Sequence, residues 1–126
     1  MRTLKFRIWD KLRKAFIFYG DIKEFAVELS GRGESLEFPI SIYDEEEAVF
    51  QQSTGLLDKN GKDVYEGDIL RVEYDLPPEY NSKPFIDFVD FYDGNFILDN
   101  HREGIGECYH SSVVIGNIFE NKELLE

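Results

Sequence analysis

Basic side chains are scarce in this chain: 14 Lys and Arg stand against 26 Asp and Glu, a formal net charge of −12 over 126 residues. Duplex-binding proteins draw most of their affinity from Lys and Arg on phosphates, so the chain as a whole is poorly suited to nucleic acid. Anionic membrane surfaces repel it for the same reason. Cysteine is almost missing. Cys108 is the only one, so no intramolecular disulfide can form, which fits a reducing compartment. Long apolar runs are missing too. The longest, Ala15 to Tyr19, is far below the roughly 20 residues of a membrane helix. The opening Met1-Arg2-Thr3-Leu4-Lys5-Phe6-Arg7 puts charges where an apolar signal core would sit, so no secretory leader is visible. The expectation is a cytoplasmic protein with no membrane partner.

Hydrophobic residues make up 42% and aromatics 15%, which argues for a folded chain despite the charge. At this length folding buries roughly two-thirds of the unfolded surface, so the core needs no metal or disulfide staple. The charge is uneven. Residues 1–14 carry six basic side chains against Asp10 alone, +5; the remainder carries eight basic and 25 acidic, −17. An acidic body with a basic leading hairpin suits complementarity within the molecule or between subunits better than a nucleic-acid site, which the acidic body would oppose.

Period-two alternation predicts strands at Thr3 to Trp9 and Ala15 to Tyr19 around a polar turn. A third strand is expected at Phe25, Val27 and Leu29, and a fourth at Leu36 to Ile42, demoted to an edge by Pro39. Asp44 to Glu47 is an acidic boundary or a first helical turn. A short strand follows at Val49 to Ser53. Asn60-Gly61 and Gly67-Asp68 are turn signals, the second launching a strand from Ile69 to Tyr74. Leu76 to Pro84 holds three of the four prolines and predicts a loop. Phe85 to Tyr92 and Phe96 to Leu98 form a hairpin, Cys108 to Ile118 a last strand, and Asn121 caps a closing turn through Leu125. About nine short strands without a long helix indicate a meander or small barrel. The division falls near Asp44 to Glu47, giving a β-rich N-terminal region, 1–47, and a barrel, 48–126, in one folding unit.

Three stretches carry a resemblance. They are Lys5-Phe6-Arg7-Ile8-Trp9-Asp10, Ser53-Thr54-Gly55-Leu56-Leu57-Asp58-Lys59-Asn60-Gly61-Lys62-Asp63-Val64-Tyr65-Glu66-Gly67-Asp68-Ile69, and Ile115-Gly116-Asn117-Ile118-Phe119-Glu120-Asn121 followed by Glu123-Leu124-Leu125. In order and spacing they resemble the YopX family of phage and prophage proteins. Ser53 and Phe119 stand where that family often has Tyr, and residues 20–50 carry little of the likeness. The resemblance implies an SH3-like small barrel in the C-terminal half with the β-rich N-terminal region packed against it. It also implies phage or prophage origin in a bacterial host. It supplies no activity, and self-association is compatible with it.

The motif residues Trp9, Asp10, Thr54, Gly55, Leu56, Asp58, Gly61, Tyr65, Glu66, Gly67, Asp68, Ile69, Ile115, Gly116 and Asn117 have a structural reading of their own. The glycines suit backbone angles that side chains forbid. Tyr65 can bury its ring, and Asp68 can accept a backbone hydrogen bond as a strand starts. Asp58 to Asp63 hints at a calcium loop, but Lys62 and Asp63 break the pattern and no helices flank it. His101, Cys108 and His110 match no zinc spacing. Cys108 with His110 lacks an orienting group for a nucleophile. Gly31-Arg32-Gly33 and Gly104-Ile105-Gly106 lack the strand–turn–helix setting of dinucleotide binding. Glu66 with Asp68 fits a solvated turn better than an acid–base pair. No cofactor or metal is expected.

Aromatics are the surplus. Phe85, Phe88, Phe91, Tyr92 and Phe96 lie beside Tyr74 and Tyr80; most suit a core, and any left exposed would form a protein-binding patch. The candidate contact surface is Arg2, Lys5, Arg7, Lys11, Arg13, Lys14, Tyr80 and Phe85. Two functional readings follow: a non-enzymatic, self-associating interaction module, or an acidic decoy that occupies a basic host nucleic-acid-binding protein.

Overall fold

Alternation from Lys5 onward builds the first hairpin. In the computed structural model, which describes residues 4–30 and 46–126, β1 (Lys5–Asp10) pairs antiparallel with β2 (Ala15–Asp21). The register runs Lys5 to Asp21 through Asp10 to Ala15, with a bulge between Ile8 and Trp9. On its other side β1 pairs with β3 (Ala48–Leu57). The fold is mainly β: among the described residues there are eight strands in two antiparallel four-stranded sheets, and one α-helix.

The chain divides into two compact units, Met1–Ser53 and Thr54–Glu126. The division falls within β3 rather than in a loop. In the N-terminal unit one face of the hairpin carries Phe6 and Phe18, with Phe50 from β3. Their rings surround Phe25 at centroid distances of 5.2 to 6.4 Å. Phe25 belongs to α1 (Ile22–Ser30), where alternation predicted a third strand. The local chemistry overrides that alternation. The Glu24 N–H donates to Asp21 Oδ1 at 2.7 Å and the Asp21 N–H to Glu24 Oε1 at 3.4 Å, a reciprocal capping box that starts a helix. Phe25 then reaches the ring cluster from the helix. The predicted fourth strand, Leu36 to Ile42, lies outside the described residues.

The C-terminal unit takes up the end of β3, followed by β4 (Asp63–Tyr65), β5 (Asp68–Val72), β6 (Phe85–Tyr92), β7 (Asn95–Leu98) and β8 (Ser112–Asn117). The second sheet has the order β7-β6-β5-β8. Central β5 is buried except at Arg71 and pairs with β6 and β8. Val64, Leu70, Val72, Val89, Leu98, Ile105 and Cys108 form the aliphatic core, with Leu56, Tyr74, Phe85 and Phe96 packed against it. Burying such side chains contributes about 1.5–3 kcal/mol each. β7 and β8 stay edges, so no closed barrel forms among the described residues.

Two further expectations change in detail. The last strand starts at Ser112 rather than Cys108, because Ile105–Glu107 and Tyr109–Ser111 form 3-10 turns. The Ser112 hydroxyl closes the second by donating to the Tyr109 carbonyl at 2.7 Å. Lys122–Leu125 is a 3-10 turn, but the Asn121 side chain does not cap it. Instead Asn121 Oδ1 accepts the Asn117 N–H at 3.1 Å. A Cβ on Gly116 would lie 2.5 Å from that oxygen, so this approach requires glycine.

Candidate functional site

Asp10, Asp58, Asp68 and Asn117 of the three motif stretches are buried, and backbone N–H groups occupy them. Asp10 Oδ1 accepts from Leu12 and Arg13 at 2.8 and 2.9 Å, and its Oδ2 lies 3.4 Å from Arg13 Nη1. Asp58 Oδ1 accepts from Asn60 and Lys62, both at 2.9 Å, while Oδ2 accepts from Val114 of β8 at 2.9 Å. Asp68 Oδ2 accepts from Tyr65 at 2.8 Å. Asn117 Oδ1 accepts from Phe119 and Glu120 at 3.0 and 2.9 Å. Among the described residues no buried side-chain nitrogen or oxygen is left without a hydrogen bond. These groups act as internal caps that fix turns, as buried polar atoms must when water is excluded. Asp68 is buried, not solvated as the turn reading had it.

Burial pushes the Asp58 carboxyl up. The N–H groups of Val114, Lys62 and Asn60 and the Lys62 charge outweigh it, holding the group below its ordinary 3.8. Both oxygens of the would-be calcium loop are thus engaged by the protein itself. Gly55, Gly61 and Gly67 have φ of 79°, 84° and 85°, the left-handed region that favours glycine. The other motif residues are structural in placement. Trp9 is buried edge-on to Phe16 at 4.9 Å. The Thr54 hydroxyl donates to the Val64 carbonyl at 2.8 Å. Tyr65 and Ile69 are buried, Leu56 packs on the core, and Glu66, Ile115 and Gly116 are half-buried.

The structure adds a carboxylate that sequence reasoning passed over. Asp87 lies fully buried on β6 and gathers the loop after β7. It accepts N–H bonds from Phe88 and Asn100 at 2.8 and 2.9 Å and from His101 at 3.1 Å. It also accepts the Asn100 amide at 2.9 Å, and His101 Nδ1 lies 2.6 Å from Oδ2. Burial raises the Asp87 carboxyl, and the bonds from His101, Phe88 and Asn100 overcome it, leaving the group below 3.8. The signal was strand parity: Asp87 shares the inward face of β6 with Phe85 and Val89. Its partner could not be read from spacing.

His101 stacks on Phe85 at 4.0 Å, and Phe85 lies 6.3 Å from Tyr74. The Tyr74 hydroxyl donates to Glu103 Oε2 at 3.1 Å. Burial and the Glu103 bond and charge, with Cys108 and Glu107 behind them, push Tyr74 up to about 12. Burial and the carboxylates of Glu103, Glu107 and Asp87 push the Cys108 thiol up to about 11. Cys108 is therefore held as a thiol at neutral pH, without the thiolate a nucleophile needs. Its Sγ lies 3.8 Å from the Ile105 carbonyl oxygen. His110 is exposed beside Tyr109. The three residues weighed as zinc ligands thus have separate partners. Among the described residues no group of three His, Cys, Asp or Glu side chains could hold a metal ion. A shallow polar cleft of about 380 Å³ is lined by Lys59, Glu73, Tyr74, Asp75, His110 and Ser111.

The sequence model described as YopX protein matches residues 5–126. The chain belongs to the YopX family. Among solved structures it is similar to the crystal structure of protein EF1440 from Enterococcus faecalis, with 29% identity, full coverage of both chains and a TM-score of 0.60. No curated protein matches. The matched YopX region contains every turn-capping acid described above.

The candidate contact surface separates in this YopX-family chain. Lys11, Arg13 and Lys14 are exposed on the β1–β2 turn, and Lys5 is half-buried. Arg7 does not belong with them. It is only 3% exposed, donates through Nε to Gln51 Oε1 at 2.8 Å, and lies over the Phe16 ring at 4.5 Å. Arg2 lies outside the described residues. Tyr80 is exposed on the 3-10 turn Pro78–Tyr80, while Phe85 is half-buried in the stack with His101. Phe91 and Tyr92 on β6 are exposed instead. Among the described residues no helix is long and apolar enough to cross a membrane.

Proposed function

We propose that this YopX-family chain is a non-enzymatic protein-interaction module that self-associates. In this reading it originates from a phage or prophage and acts in the cytoplasm of a bacterial host. The observation that carries the proposal is charge separation on one chain. The exposed turn Lys11–Lys14 holds three cations, while residues 54–126 hold six basic and 16 acidic side chains, of which Asp58, Asp68 and Asp87 are buried. Opposite surfaces on identical molecules attract one another. An SH3-like character of the C-terminal unit is part of the reading, supported by its short antiparallel strands and the 3-10 turn that runs into β8. Light scattering over a concentration series at low and high salt tests it. Mass that rises with concentration and falls with salt is the expected result; a strict monomer throughout refutes it.

The acidic excess of the C-terminal unit also favours a second reading, an acidic decoy for a basic host nucleic-acid-binding protein. The chain should then retain a DNA-binding protein or nuclease that moderate salt and added duplex DNA both release. Retention indifferent to both would sink this reading.

A further inference from the structure

We infer that the β1–β2 turn of one copy docks on the β6–β7 hairpin of a second copy. The inference rests on the self-association reading and names the surfaces that perform it. The turn is built to hold a large apolar side chain in water: Leu12 is 67% exposed at its tip. Its backbone is fixed on three sides. Leu12 and Arg13 donate to Asp10 Oδ1, the Lys14 N–H donates to the Asp10 carbonyl at 2.8 Å, and the Lys11 N–H to the Glu47 carbonyl at 2.9 Å. A preorganised tip loses little entropy on docking. Lys11, Arg13 and Lys14 adjoin Leu12 in the turn and are exposed, Arg13 reaching back to Asp10 Oδ2 at 3.4 Å, so the tip is an apolar knob on a basic turn.

The β6–β7 hairpin is its counterpart. Phe91 and Tyr92, at the end of β6, are 50% and 60% exposed and point to opposite faces of the hairpin, Phe91 beside Phe96 at 5.0 Å, so the hairpin end presents an aromatic on each side. Asp90 and Asp93 flank Phe91 and Tyr92; with buried Asp87 they are the three acids between Phe85 and Leu98, a stretch without a cation. The Tyr92 ring already accepts a guanidinium, with Arg102 at 5.0 Å from its centroid, so its environment suits cation–π contact. Apolar meets apolar, the basic turn meets Asp90 and Asp93, and both surfaces belong to the same chain. That pairing favours a second copy as the occupant. The two surfaces differ, so every copy carries both halves of the contact.

Sedimentation of the full chain across concentration tests this with two charge reversals, K11E/R13E/K14E in the turn and D90K/D93K in the hairpin. Each reversed variant alone should associate at least roughly tenfold more weakly than the wild type, because like charges then face each other. An equimolar mixture should recover association, since each turn then meets a hairpin of opposite sign. Leu12→Ser should weaken association with unchanged far-UV circular dichroism, which separates docking from folding. Reversed variants that fold and associate like the wild type overturn the docking surfaces and leave self-association standing. A mixture that stays monomeric while the wild type associates does the same. A wild type monomeric at every concentration overturns both.

Discussion

The two units solve the same packing problem with different materials. The N-terminal unit is organised by rings: Phe6, Phe18, Phe25 and Phe50 interlock on one side of the hairpin, and Phe16 supports the buried Arg7. The C-terminal unit has an aliphatic core and ties its loops down with three buried carboxylates, Asp58, Asp68 and Asp87, where the described residues of the N-terminal unit bury one, Asp10. The difference teaches that acidity here is more than a surface property. Part of the negative composition lies inside the protein, where each carboxylate replaces a shell of water with backbone N–H groups.

The comparison can be broken hardest at the aliphatic core. Leu70→Ala, at a fully buried position, should cost about 2–5 kcal/mol in denaturant unfolding. A cost below about 1 kcal/mol would show that the core is not where stability resides. Asp87→Ala should follow, at roughly 2–3 kcal/mol, because the N–H groups of Asn100 and His101 lose their acceptor. The loss should appear as faster amide exchange confined to residues 99–104; unchanged exchange there would contradict the clamp.

Acid sharpens the same contrast. Asp58 and Asp87 have folded pKa values below the unfolded value of about 3.8. Their contribution is therefore present above pH 3.8 and is lost as pH falls through the lower, folded values. Urea midpoints measured on each side of pH 3.8 should drop in acid, and Asp87→Asn should flatten that dependence. Gly116→Ala should cost about 1–3 kcal/mol through its encounter with Asn121. Removing the Asn121 side chain in the same molecule should recover part of the loss, as coupled neighbours do. The smallest effect belongs to the ring-rich unit. Arg7→Lys keeps the charge but loses the Nε bond to Gln51 and the flat stacking on Phe16, costing about 1 kcal/mol. No measurable change would mean that charge alone places Arg7.

Much of this architecture was legible from local chemistry. Alternation marked the β1–β2 and β6–β7 hairpins, and Asn60-Gly61 marked the turn that Asp58 closes. Where a rule competed with another, legibility failed. Phe25, Val27 and Leu29 alternate like a strand, but Asp21 and Glu24 stand three residues apart and start a helix. Arg7 looked like surface because charged residues usually are, yet rings and Gln51 make its burial tolerable. Asp87 was passed over although strand parity marks it as inward, and its partners Asn100 and His101 lie across a hairpin that only tertiary structure closes. The family motifs were legible as sequence, and within them Asp10, Asp58, Asp68 and Asn117 cap turns. The lining of the cleft beside Tyr74 was not, since it draws on separate segments.

The most direct test of the carboxylate-clamp account is the titration of the Asp58 and Asp87 side-chain carboxyl carbons by NMR. Both midpoints should fall below 3.8. A midpoint at or above 3.8 for either residue would show that burial outweighs the N–H groups gathered around it, and would contradict its role as a clamp.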